Sequence, residues 1–360
     1  MMISTSRRIT GFMGRSALCL AISTLPAGGA LAFDVCLVGG NSTALSFWLE
    51  SFQGNGEDDE IRLRAGTLEV PDGGFQFFSL ESHDLTVTGG WNTDCSSRRD
   101  TGDTVLDGGE SERVMALRNR NGKITVSHLT FADGNLLSLG INGYAGGLQV
   151  NGENGHGTGA TIELNKFFFN TILPAIGEPG IGSAGLYASS ASGTLKVRNN
   201  LFVGNEGGGG AAAWIRVNSS SVAHVTSNTV VLNGTDGLFT GGILITSDSG
   251  NAISVSNNIL WGNSGNGLEI PNGAVITNND IQGIKGNPGA GSTANINVNP
   301  MFDGVLGFKL KPGSPLVNAG RDDSPGGLTA TDMLGSVRVQ GAAVDMGAYE
   351  TDVLFGDDFD

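Results

Sequence analysis

The chain has 360 residues, 59 of them glycine, and a formal net charge of −15 at neutral pH. Glycine at more than twice its ordinary share of about 7%, without a three-residue period, excludes collagen, and a 39% hydrophobic content excludes a disordered chain. The acidic balance excludes nucleic acid and anionic lipid as partners, since both would repel it.

Residues 1–32 begin basic ("MMISTSRRITGFMGR") and continue apolar ("SALCLAISTLPAGGALA"), the pattern of a secretory signal cut after Ala32, with Phe33 as the new terminus. Pro26, Gly28 and Gly29 interrupt a segment already short for a bilayer-spanning helix. Arg7 and Arg8 are followed by Thr10 and Gly11 where a twin-arginine signal carries apolar residues, which favours the ordinary export route. The expected location is secreted, extracellular or at a cell surface, with no transmembrane segment in the mature chain. Cleavage removes three arginines and no acid, taking the net charge to −18. It also leaves two cysteines, Cys36 and Cys95, which are expected to pair in an oxidising compartment. That bond would close a loop of about 60 residues, worth about 4 kcal/mol in the chain-entropy model. Neither cysteine has a second Cys or His nearby to hold a metal.

In "NSTALSFWLESFQG" Leu45, Trp48, Leu49 and Phe52 fall at i, i+3, i+4 and i+7, which predicts a helix started by Ser42 or Thr43, ended by Gly54 and laid over the first coil of a solenoid. The acidic run 57–60 then reads as a solvated turn at Asp58 and Asp59.

From Ile124 onward a pattern repeats. "LKVRNNLFVGNEGGGG" (195–210), "AHVTSNTVVLNGTDG" (from Ala223) and "ISVSNNILWGNSGNG" (from Ile253) share one outline, a short strand, an asparagine turn and a glycine-rich exit. Aligned on the turn, the column reads Leu129, Asn165, Asn200, Asn228, Asn258 and Asn279, at spacings of 21 to 36 residues. Three positions earlier stand Val126, Ile162, Val197, Val225, Val255 and Ile276, and two positions later Phe131, Phe167, Phe202, Val230, Leu260 and Ile281. This alternation with period two is a strand with one buried face. A second strand recurs upstream of each turn, as in "GGLQV" from Gly146 and "GGILIT" from Gly241. Six such coils, with no helical period between them, predict an all-β solenoid, a single-stranded right-handed parallel β-helix with an N-terminal capping helix. The asparagines are expected to take left-handed backbone geometry and to stack as a hydrogen-bonded ladder, with Asn170, Asn205, Asn233 and Asn263 as a second column. The resulting organisation is signal 1–32, cap and first coils 33–100, repeats 101–300, a C-terminal coil or cap 301–350, and an acidic tail 351–360.

The order "CLVGGNSTALSFWLE…DDEIRLRAGTL…LTVTGGWNTDC" resembles the amino-terminal part of bacterial secreted β-helix proteins. "NPMFDGVLGFKLKPGSPLVNAG…TDMLGSVRVQGAAVDMGAYE" is similar to the ending of the choice-of-anchor Q domain group, "SPLVNAG" and "VDMGAYE" being its most specific parts. "FFFN" (167–170) and "FVGN" (202–205) resemble polymorphic outer-membrane repeats, which implies adhesion. No carboxy-terminal barrel is expected, so self-anchoring as an autotransporter is not expected either, and the ending "TDVLFGDDFD" departs from the "DGFE" of the exported-protein tail it resembles.

"NTD" (92–94) and "GHG" (155–157) occur in β-helix pectin hydrolases, but the paired aspartates and the Arg-Ile-Lys group of those enzymes are absent. A lyase needs a Lys or Arg base with calcium carboxylates or further arginines. The coils offer only scattered Lys166, Lys196, Arg198, Arg216 and Lys285, with Glu163 in the column of Arg198 as a surface ion-pair partner. His128 and His224 occupy repeat columns, and His83 has no partner motif. The longest insertions, 134–145 and 171–183, fall on one side of the stack, making Tyr144 and Glu178 the expected binding loops. Three tyrosines are too few for a long sugar-stacking platform. The expectation is a non-catalytic, monomeric binder of a polysaccharide or cell-surface protein, with no cofactor or metal; the alternative is a polysaccharide lyase or glycoside hydrolase acting on an acidic polysaccharide.

Overall fold

The computed structural model describes residues 33–98, 103–136, 144–151, 157–172, 182–218, 220–235, 239–248, 250–304 and 307–351. The signal segment with Ala32, Glu178, the histidine of "GHG", much of both long insertions and the tail from 352 lie outside the described residues.

The chain forms a parallel β-solenoid. Eight successive coils each place one strand in each of three parallel sheets, and Phe33–Leu37 adds a ninth strand to the edge of the first. One coil reads Thr194–Arg198 in the first sheet, Leu201–Val203 in the second and Ala213–Val217 in the third. At about 4.8 Å per step the eight coils make a stack about 38 Å long. Two coils, over 59–79 and 85–119, precede those visible in the repeat. Their first corners carry Gly66 and Gly90 at positive φ instead of an asparagine, so the repeat was hidden there.

Inside the stack, Leu195, Val197 and Phe202 are fully buried, as are the residues above and below them. Phe131, Phe167 and Phe202 stack with centroids 5.1 and 4.6 Å apart and planes within 11°. The helix spans Ser42–Ser51 and packs against the third-sheet strand Phe75–Ser79, burying Leu45 and Leu49, with Phe52 buried just beyond it. Trp48 is only half-buried, and the cap is Asn41, whose side chain accepts the Ala44 N–H at 2.9 Å. Ser42 and Thr43 do not fill that role, since Ser42 donates its hydroxyl to the Glu69 carbonyl instead. Asp59 is not in a solvated turn. It begins the strand Asp59–Arg64, is buried, and accepts from Asn55 Nδ2 at 2.8 Å, while burial pushes its carboxyl up to about 6.

Both corners flanking the second sheet use two residues for what one was expected to do. The left-handed residue is the one before each ladder asparagine, or before Leu129 in the first such coil: His128, Leu164, Asn199, Ser227, Asn257 and Asn278 have φ between 53° and 59°. The asparagine after it points inward. Its Oδ1 accepts both the backbone N–H and the Nδ2 of the asparagine one coil back, as Asn200 does from Asn165 at 3.0 and 3.2 Å. Its own Nδ2 also reaches a core carbonyl of the coil behind, Ile162 at 2.9 Å for Asn200. The chain of bonds runs through Asn165, Asn200, Asn228, Asn258 and Asn279 and ends on Asn295. Asn170, Asn205, Asn233 and Asn263 repeat the arrangement at the other corner.

Beyond Asn295 the chain leaves the stack and returns along its flank. Ala319 meets Asn278, Arg321 and Ser324 meet Asn257, Pro325 meets Thr226, and Gly326 and Leu328 meet Arg198, so the segment runs backward coil by coil. Under it, the second sheet shows an apolar outer face. Leu201, Val203 and Val231 pack against Phe308, Ala348 and Tyr349, and Ile259 packs against Leu310, Leu316 and Met346. These strands are therefore buried on both faces, which is why "LFV" and "TVV" read as continuous apolar runs rather than alternating ones.

Candidate functional site

The outer face of the third sheet gathers the aromatic side chains. Register places Gln149, Tyr187, Trp214 and Leu244 in one column across four coils. Side chains two residues along a strand share its face, which puts Ser189, Arg216 and Thr246 in the neighbouring column. Arg118 occupies the corresponding place two coils earlier, paired with Phe78. The Tyr144 ring stacks on Tyr187 at 4.8 Å and 26°, and Tyr187 meets Trp214 edge-on at 5.5 Å. Tyr187 is fully buried in this group, whereas Tyr144, Trp214, Arg118 and Arg216 are partly exposed. Hydrogen bonds fix the frame: Trp214 Nε1 donates to Thr246 Oγ1 at 2.9 Å, Arg216 Nε to Asn218 Oδ1 at 3.2 Å, and Tyr144 N to Gln149 Oε1 at 3.1 Å.

Next to this face, Arg113 is buried, with its Nε and Nη1 lacking hydrogen-bond partners. Burial, and the Arg118 guanidinium nearby, lower its pKa. The arrangement offers aromatic surface for the apolar face of a sugar ring, beside cationic donors for its oxygens.

Two of the three tyrosines thus converge although the sequence is too sparse in tyrosine for a long platform. The residues that meet are 43 positions apart for Tyr144 and Tyr187 and come together only through coil registration, which irregular loop lengths hide in the sequence.

The other singled-out residues are committed elsewhere. Cys36 and Cys95 form a disulfide, with Cα atoms 6.0 Å apart, that ties the edge strand to the 92–97 turn. Phe33 is the first residue of that strand. Asn92 and Asp94 organise the turn by accepting from the backbone N–H groups of Ser96 and Ser97, so "NTD" there is turn chemistry. Arg198 is more than a surface ion pair. It bonds Glu163 at 2.6 Å and also donates to the Gly326 and Leu328 carbonyls, holding the returning segment. His224 shares a hydrogen bond with Ser254 at 2.7 Å beneath Gly326, where a Cβ would come within 2.5 Å of the histidine. His128 occupies a corner, and burial pulls its pKa down to about 4. His83 stands 3.6 Å from Asp58. Lys166 pairs with Asp103 at 2.7 Å and Lys285 with Glu269 at 2.9 Å, while Lys196 lies beside His224. Among the described residues no cluster of three or more His, Cys, Asp or Glu side chains could hold a metal, and no helix is long and apolar enough to cross a membrane.

Compared with known proteins, the chain matches no protein family, no curated protein and no solved structure.

Proposed function

We propose that the chain is a secreted right-handed parallel β-helix of the choice-of-anchor Q type that binds a surface glycan, as an adhesin would, without cleaving it. The observation that carries this reading is the Tyr144–Tyr187–Trp214 group beside Arg118 and Arg216 on the outer face of the third sheet. Stacking against Trp214 and Tyr144 would supply affinity, and the partly exposed Arg118, Arg216 and Thr246 of the adjacent column would supply orientation. Arg198 and His224, the base candidates in the repeat columns, are engaged in holding coils and the C-terminal segment, which favours binding over turnover. The disulfide supports export to an oxidising compartment. The helix over Ser42–Ser51, packed on Phe75–Ser79, would close the first end of the stack and protect its strand edges from further pairing.

The test is a screen of the purified chain against immobilised polyuronates and neutral glycans, with and without calcium, scoring both retention and the release of reducing ends or unsaturated products. Retention without product is expected. Sustained release of product from any glycan would replace this reading with a polysaccharide lyase or hydrolase, and retention only on cell-surface protein would replace the ligand class.

A further inference from the structure

At the opposite corner of the solenoid from the aromatic group, where the first sheet turns into the second in the earliest coils, the chain lines an open cleft of about 310 Å³. Its lining includes Gly39, Arg64, Gly66, Thr67, Trp91 and Thr93. Backbone forms much of its wall because two stacked corners approach too closely for side chains: a Cβ on Gly39 would stand 2.7 Å from the Ala65 carbonyl oxygen. Gly66, with φ of 144°, holds the facing turn in a conformation that other residues rarely adopt. The Trp91 ring is held in place by the Arg62 and Arg98 guanidiniums, 5.0 and 4.7 Å from its centroid, and by its Nε1 donating to Thr88 Oγ1 at 2.8 Å.

Arg64 is the one charged side chain lining the cleft among the described residues. Its neighbour Arg62 is neutralised by Glu60 and Asp34, whereas Arg64 has no ion pair among the described residues, and its Nε is buried without a hydrogen-bond partner. The Arg64 guanidinium is thus the positive charge at the cleft that an anion could pair with. One unpaired cation matches one negative charge, which fits a carboxylate rather than a phosphate dianion. The Thr67 and Thr93 residues and the exposed backbone of the glycine turns suit the hydroxyls of a ring, and a cleft at the lower end of the usual size range of about 300–1,000 Å³ fits a short ligand.

We propose that this cleft is a binding site for a sugar acid, a terminal uronate whose carboxylate pairs with Arg64 while Trp91 walls one side of the ring. The site is separate from the third-sheet face and does not depend on the function assigned to it.

Calorimetric titration of the full chain with digalacturonate, with the neutral disaccharide digalactose, and with a sulfated galactose disaccharide tests this. Digalacturonate is expected to bind, the neutral sugar not to bind, and the sulfated sugar to bind more weakly. Arg64→Gln should weaken digalacturonate binding by at least tenfold with an unchanged thermal midpoint, and Lys311→Gln, which removes an exposed cation outside the cleft, should leave it intact. Equal binding of digalacturonate by Arg64→Gln and the parent chain overturns the proposal, as does tighter binding of the neutral or sulfated sugar. Loss of digalacturonate binding in Trp214→Ala but not in Arg64→Gln would move the uronate to the third sheet and overturn it equally.

Discussion

Asn200 shows how one side chain can hold three coils. Its Oδ1 closes the backbone of the coil behind at Asn165, its Nδ2 reaches both Ile162 and Asn228, and all of these residues are buried. Asn200→Leu would leave the Asn165 N–H and the Ile162 carbonyl without partners in a dry interior. The expected cost is about 1–3 kcal/mol, read as a lower thermal midpoint with glycan binding unchanged at temperatures where the variant is folded. The Asn before it has a different task. Each of the three Asn-Asn pairs, at 199–200, 257–258 and 278–279, turns its second member inward and uses its first to bond the returning segment, at Ala348, Arg321 and Ala319. Asp280 adds a pH signature. It is fully buried beneath the segment, one oxygen accepting the Val298 N–H at 2.9 Å and the other unpartnered, and burial pushes its pKa from 3.8 up to about 6. Above about pH 6 the folded chain holds a buried carboxylate. Between about 6 and 3.8 the folded state takes up a proton that the unfolded state does not, so the penalty is relieved as the pH falls. Asp280→Asn is accordingly expected to be more stable than the parent by about 1–3 kcal/mol at pH 8, with the difference shrinking through pH 6 and gone near pH 4. Paired melting curves across that range check it, and a constant difference would contradict it.

At the scale of elements, the C-terminal segment is the part that the sequence described least well. The alternating strands are legible because burial of one face imposes period two, and Leu195, Val197 and Phe202 fall inside as that period requires. The described residues of 296–351 have no period to read, because they form turns that lie on a sheet rather than strands within one. The signal that could have found their docking surface is the doubly apolar second-sheet strand, as in "LFV" at Leu201–Val203. The segment is locked by a buried charge group. Arg338 bonds Glu350 and the Gly347 carbonyl, Glu350 accepts from Asp345 N, and Asp332 accepts from Glu350 N, all four charged residues being at most 2% exposed. Arg338→Met would strand three buried acids. The expected loss is about 3–5 kcal/mol, seen as early release of the segment, with red-shifted Trp261 fluorescence while the far-ultraviolet strand signal persists. The motifs "SPLVNAG" and "VDMGAYE" thus have a structural use: Asn318 N donates to Asp345 at 2.7 Å, and Ala348 N donates to Thr229 at 2.9 Å.

For the whole molecule, the three sheets divide the work. The first carries the ladder corners and the clasp, the second lies between the core and the returning segment, and the third presents aromatic and cationic side chains on its outer face. The solenoid was readable from Ile124 onward because those coils repeat one solution, whereas the aromatic group was not, because it arises once, from residues on separate coils. Tyr144 also contributes more to stability than an exposed loop residue would, since it stacks on Tyr187 and is half-buried. Trp214 is the most direct probe of the proposed binding face, being partly exposed in the same column as Tyr187. The decisive measurement is the affinity of Trp214→Ala for the glycan retained by the parent chain, taken by calorimetry at a temperature where both proteins are folded. A loss of about tenfold or more, equivalent to about 1.4 kcal/mol, is the predicted result. Unchanged affinity would contradict the assignment of the third sheet as the binding face.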